Sequence, residues 1–268
     1  MSIQILIGFL LAITIAALAW RVGSLSNSGA LAAVLTGGLI FGFGGLSWAA
    51  LLLTFFITSS ALSRTFKKRK ASLAEKYSKG DRRDWRQVFA NGALGALLAV
   101  GFVLLHHFEW LWLAFAGAMA AVNADTWSTE LGVLSPVPPR LITNRQIVER
   151  GTSGGVTLVG TLSALVGAAL IAGVAVLVHP CERWPVSLGI IILGGLVGAL
   201  VDSVLGATVQ AIYFCPSCQK ETERHPIHTC GTATAQIRGW SWVNNDLVNF
   251  VCSLTGAVVA ACLWLLLT

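Results

Sequence analysis

The chain has 268 residues, of which 55% are hydrophobic and 11% charged, with 28 Gly, ten Trp and a formal net charge of +6. So small a charged fraction excludes an ordinary soluble domain and indicates a polytopic membrane protein. The positive balance reads first as a topology signal and second as an affinity for anionic lipid or substrate; no nucleic-acid partner is expected.

An apolar segment needs about 20 residues to cross a bilayer. Eight such stretches begin near residues 3, 28, 46, 88, 110, 153, 186 and 244. They predict a single all-α integral-membrane domain over 1–268, a helical bundle of about eight transmembrane helices. Ala17-Leu18-Ala19 resembles a cleavage site, yet no basic segment precedes the first span and Arg21 follows it, so that span reads as uncleaved. Residues 29–62 are almost continuously apolar, broken by Gly42, Gly44 and Gly45, and fit either a tight hairpin or one span with a re-entrant piece. Thr58, Ser59, Ser60 and Ser63 follow, as hydroxyls expected to bond back to the preceding turn.

The loop 64–87 is strongly basic, with ten Lys and Arg between 64 and 86. Its cluster Lys67-Lys68-Arg69-Lys70 reads as an anchor to anionic lipid, whereas Arg82 and Arg83, near Gln87 and Asn91 at the mouth of the fourth span, read as contacts for a substrate phosphate. Cytoplasmic loops hold an excess of Lys and Arg. Eight spans with both termini outside place 17 of the 18 basic residues in the cytoplasm and leave only Arg183 outside. The chain is accordingly expected in a plasma membrane of bacterial type, with its site facing the cytoplasm.

The fifth span ends in Asn123-Ala124-Asp125-Thr126-Trp127-Ser128-Thr129-Glu130-Leu131-Gly132. A charged side chain at hydrocarbon depth costs roughly 2.5–3.5 kcal/mol or more, so an acid there usually faces a polar cavity. Asp125 alone could mark where the helix leaves the membrane. A second acid, Asp202, lies well inside the seventh span and is followed by Ser203, much as Asp125 is followed by Thr126, and the two read as halves of one site. Asp125 and Asp202 suit Mg²⁺, with Glu130 in support and Asn123 and Thr126 beside them. A Gly precedes each Asp by eight residues (Gly117 and Gly194), too short a match to establish a repeat.

Arg150-Gly151-Thr152-Ser153-Gly154-Gly155 is read as the opening of the sixth span. Its free helix-start amides would attract phosphate, although close helix packing explains the glycines as well. Loop 214–240 carries Cys215-x2-Cys218, then His225, His228 and Cys230, which is metal-ligand spacing. Cys215, Cys218, His228 and Cys230 are the expected Zn²⁺ ligands, with His225 as a competitor, and the site is expected to be structural with no substrate group nearby. In the eighth span Asp246 is read as the cap, and Asn245 and Asn249 as the edge of the site.

The blocks at 87–92, 123–132, 151–155 and 201–210, Gln-Val-Phe-Ala-Asn-Gly, the Asp125 stretch, Gly-Thr-Ser-Gly-Gly and Val-Asp-Ser-Val-Leu-Gly-Ala-Thr-Val-Gln, resemble one integral-membrane family. That family includes plant phytyl-phosphate kinase and animal transmembrane protein nineteen. The resemblance implies phosphoryl transfer from a nucleoside triphosphate (CTP or ATP) to an isoprenyl monophosphate lipid. Phosphoryl transfer needs positioning and charge neutralisation, for which the chain offers Mg²⁺ ligands, Arg82, Arg83 and Arg150, and residues 151–155. The rival reading is a transporter or flippase of a lipid phosphate; it requires polar residues through both leaflets, and the outer half holds few.

Overall fold

The computed structural model describes residues 2–66, 76 and 82–267, so the cluster Lys67-Lys68-Arg69-Lys70 lies outside the described residues. Among the described residues there are eight α-helices: α1 (Ser2–Arg21), α2 (Asn27–Leu39), α3 (Gly45–Thr65), α4 (Trp85–Leu104), α5 (Glu109–Gly132), α6 (Leu158–Val178), α7 (Trp184–Thr208) and α8 (Asn245–Leu267). The protein is a helical integral-membrane bundle.

On α1 small residues face inward and large ones outward, the reverse of a soluble helix. Gly8, Ala12, Ala16 and Ala19 are buried, while Ile3, Leu6 and Leu10 are exposed. In lipid there is no hydrophobic gain from burying Leu, so helices associate through close backbone approach at small residues. A Cβ on Gly8 would lie 2.6 Å from the Gly42 nitrogen.

The run from Asn27 to Thr65 is a hairpin. A π-helical turn (Ile40–Gly44) ends at Gly45, whose φ of 77° is left-handed and suits glycine. The two arms return to the same end of the bundle, because Arg64 at the foot of α3 donates to the Val22 carbonyl and the Ser24 hydroxyl, both at 2.7 Å, just before α2. At the opposite end Ser47 donates to the Val178 carbonyl, His179 meets Glu109, and Arg183 donates to the Leu267 carbonyl.

Helix α5 is the axis. Every residue from Leu111 to Ala124 is buried, against α3, α4, α6, α7 and α8. Among the described residues, six segments are long and apolar enough to cross a membrane, with Asn27–Thr65 taken as one. Helix α5 is not one of them, and it is shielded by protein rather than lipid. Helices α5, α7 and α8 cross at glycines: a Cβ on Gly117 would meet the Gly256 carbonyl oxygen at 2.4 Å, and one on Gly194 would meet the same oxygen at 2.8 Å.

Among the described residues, two small sheets project from the end that carries Arg64. Strands β1 (Arg140–Leu141) and β2 (Gly155–Val156) pair antiparallel. Strands β3 (Ile212–Cys215), β4 (Lys220–Thr222) and β5 (Ala235–Arg238) form a sheet of order β4-β3-β5. The pairing of β2 corrects one expectation. Residues 151–155 do not open a helix: α6 starts at Leu158, and its cap is Thr157, whose side chain accepts from the Gly160 amide. Likewise the α8 cap is Asn244, which accepts from the Leu247 amide at 3.0 Å, and not Asp246.

Candidate functional site

Asp125 on α5 and Asp202 on α7 interact side chain to side chain and line one cavity. Their meeting follows from the helix crossing. Gly117 and Gly194 both pack on Gly256, and each helix then runs eight residues, about 12 Å at 1.5 Å per residue, toward the same end of the bundle. The small side chains at the crossing hold the two backbones close enough for the carboxyl groups to touch.

The pair lines an open cavity of about 770 Å³. Arg150, Gly151 to Gly155, Ser203 and Asn245 line it too, as do Ser128, Thr129 and Glu223. Arg150 is anchored by donating to the Ser135 carbonyl at 2.8 Å. The glycine-rich segment is clamped on α7: Gly154 has φ 81°, and a Cβ there would lie 2.4 Å from Ala207, so close packing explains this glycine. Ser153 donates to Oε1 of Gln210 at 2.8 Å, and Nε2 of Gln210 donates to Glu223 at 2.9 Å.

The donor set fits a hard divalent cation. Two carboxylates in contact repel unless a proton or a cation lies between them. Oδ2 of Asp202 is buried and has no hydrogen-bond partner. Mg²⁺ takes one or two carboxylates and completes its shell with waters and substrate phosphates, for which the open cavity leaves room.

Several expected site residues lie elsewhere. Five residues on a helix turn through about 140° net, so Thr129 shares the cavity with Asp125 while Glu130 faces α3. There Glu130 accepts from Ser63 at 2.7 Å and interacts electrostatically with Arg83, which corrects its placement beside the cation. Asn123 is fully buried and bridges helices, donating to the Gly167 carbonyl and accepting from Thr58. The Thr126 hydroxyl bonds back to the Val122 carbonyl. Asn249 is not among the residues lining the cavity.

Arg83 and Asn91 line a different, largely apolar cavity between α1, α2, α3 and α4, and α5 packs between those helices and α6 to α8. The Arg83 guanidinium donates to Ser59 and Ser60 and lies over the rings of Phe55 and Phe56. Burial lowers its pKa to about 10, against the opposing pull of Glu130, so it stays charged at neutral pH. Arg82 is exposed beside the turn at Gly23.

The donor atoms of Cys215, Cys218, His228 and Cys230 all lie within 4.8 Å of one another. Individual separations of 3.3–3.5 Å match adjacent vertices of a tetrahedron of the size Zn–S and Zn–N bonds define. The ring of His225 stacks on Tyr213 at 4.4 Å, which removes it from competition. The loop nevertheless reaches the Asp202 cavity through Glu223, which follows β4 directly and lines it, a residue that the sequence reading did not single out. The loop's level at the basic end was the available signal; its metal-ligand spacing concealed it.

A pair of acids lining a cavity that opens to one end of a helical bundle defines an integral-membrane protein with a polar site beside the bilayer. The chain belongs to the family described as Integral membrane protein DUF92, whose model matches residues 10–257. It is 34% identical over 251 residues to Protein PGR of Arabidopsis thaliana, covering 85% of each chain. It is 32% identical over 210 residues to an uncharacterized membrane protein of Methanocaldococcus jannaschii, covering 76% of this chain and 83% of that one. Protein VTE6, chloroplastic, of Arabidopsis thaliana is 27% identical over 245 residues, 89% of this chain and 65% of its own. No solved structure matches.

Proposed function

We propose that this protein is a membrane phosphotransferase that converts an isoprenyl monophosphate to its diphosphate at the expense of CTP or ATP. The observation that carries the reading is the contact of Asp125 with Asp202 in an open cavity of hydroxyls, glycines and one arginine. Membership of the family that includes plant phytyl-phosphate kinase supports it.

A phosphate oxygen of the lipid attacks the γ-phosphorus; that P–O bond forms as the γ-phosphorus to β-oxygen bond breaks, and the nucleoside diphosphate leaves with the electron pair. The acceptor phosphate is already ionised, so no strong base is needed, and catalysis reduces to positioning and charge neutralisation. Asp125 and Asp202 would hold Mg²⁺, which would supply that neutralisation when bound. Arg150 adds fixed positive charge, and Ser203 and the segment 151–155 border the phosphates. Zn²⁺ at the Cys and His cluster is structural. The basic end of the bundle faces the cytoplasm of a plasma membrane of bacterial type, where nucleotide is available.

Purified protein in detergent, given prenyl monophosphates with Mg²⁺ and CTP or ATP, should yield the diphosphate. Movement of a prenyl phosphate across liposomes without nucleotide consumption would replace this reading with a transporter.

A further inference from the structure

The zinc-type loop and the carboxylate cavity are joined by a short, well-packed route. Strand β3 starts four residues beyond the end of α7, and β4 pairs back on it, with Cys215 opposite Lys220 and Tyr213 opposite Thr222. Cys218 lies in the turn between the strands, and Glu223 is the first residue after them. Two further contacts fix where Glu223 stands. Its amide donates to the Lys76 carbonyl at 2.8 Å, and its Oε1 accepts from Gln210. Gln210 is only 1% exposed, and its other amide atom is taken by Ser153, so it cannot turn away without stranding a buried polar group.

The position so fixed is next to the acids of the bundle. Glu223 lines the same cavity as Asp125 and Asp202 and interacts electrostatically with Asp202, whose buried Oδ2 has no partner. Three carboxylates in one partly enclosed space repel one another, and a divalent cation is the natural counter-charge.

We propose that Glu223 is a third carboxylate of the cation site, delivered by the β3–β4 hairpin, so that zinc at Cys215, Cys218, His228 and Cys230 sets the affinity for the divalent cation about Asp125 and Asp202. The proposal rests on the reading of those two aspartates as a cation site. It makes the loop an arm of the site: zinc holds the hairpin, the hairpin holds Glu223, and Gln210 locks Glu223 to Ser153 of the glycine-rich segment.

Mn²⁺ is the probe, titrated by electron paramagnetic resonance into the purified full chain without substrate. Glu223→Gln should weaken Mn²⁺ binding about 10- to 100-fold, the usual cost of losing a group that holds or orients a metal ligand. A zinc-free chain carrying Cys215→Ser and Cys218→Ser should show a similar loss, and adding Glu223→Gln to it should cost little more, since both changes remove one contribution. Gln210→Met keeps the zinc ligands and tests the same delivery if the zinc-free chain fails to fold; it should also weaken Mn²⁺ binding. Wild-type affinity in Glu223→Gln, with Asp202→Asn losing the ion, would remove Glu223 and leave the aspartate site standing. Full additivity of the zinc-free and Glu223→Gln losses would remove the coupling through the hairpin. A wild-type chain that binds no Mn²⁺ would overturn the cation site itself, and this inference with it.

Discussion

Asp125 and Glu130 are five residues apart on one helix and take opposite roles, because about 140° of rotation separates them. If the pair holds the cation as proposed, replacing Asp125 or Asp202 by Asn keeps the shape and removes the charge that would hold it, so either change should reduce prenyl-phosphate phosphorylation by roughly two orders of magnitude or more while the protein stays folded. Glu130→Gln should behave in the opposite sense. It removes the charge facing Arg83 and weakens the bond from Ser63, at a cost of about 1.5–3 kcal/mol in stability, and leaves Mn²⁺ affinity unchanged. Thermal unfolding in detergent and Mn²⁺ titration of the three variants separate these outcomes. Loss of cation binding in Glu130→Gln, or full activity in both aspartate variants, would contradict the assignment.

The glycines of α5, α7 and α8 are the means by which the aspartates meet. A methyl group on Gly117 would press on the Gly256 carbonyl and on Ala260, 2.4 and 2.6 Å away, neither of which can retreat without moving α8. Gly117→Ala should therefore destabilise the bundle by about 1–3 kcal/mol and lower Mn²⁺ affinity by shifting α5. Gly173 on α6 has no atom within 4 Å of such a methyl group. Gly173→Ala should leave cation affinity untouched and raise stability by up to about 1 kcal/mol, the helix-propensity difference. Equal effects at the two positions would show that packing at Gly117 has no special role. The zinc cluster belongs to this scale as well: the purified protein should hold one Zn²⁺ per chain, and Cys215→Ser with Cys218→Ser should release it, as metal analysis would show.

Across the whole molecule, charge is sorted by end. Arg64, Arg83 and Arg150 gather at the end that bears the carboxylate cavity, and Arg183 stands at the other beside the end of α8. Five helices, α4 to α8, separate residue 75 from the C-terminus, so reporters at the two places should fall on opposite sides of the membrane, with residue 75 inside. Reporters on the same side would require an even number of crossings between them.

Composition, hydropathy and the placement of Lys and Arg were sufficient to derive the class of protein and the helical architecture, because each depends on free energies of transfer that act residue by residue. The Cys and His cluster was legible for a similar reason, since metal ligands close in sequence announce themselves by spacing. Contacts made across long separations were not legible. Residues 151–155 became a clamp on α7 instead of a helix start, because β2 pairs with β1, Thr157 caps α6 and Gly154 packs on Ala207. Arg83 went to a cavity of its own because Ser59, Ser60, Phe55 and Phe56 of α3 receive it. Glu223 reached the aspartates because folding of the hairpin against Lys76 and Gln210 determines its direction. No local pattern encodes these contacts, since each depends on where another segment of the chain packs.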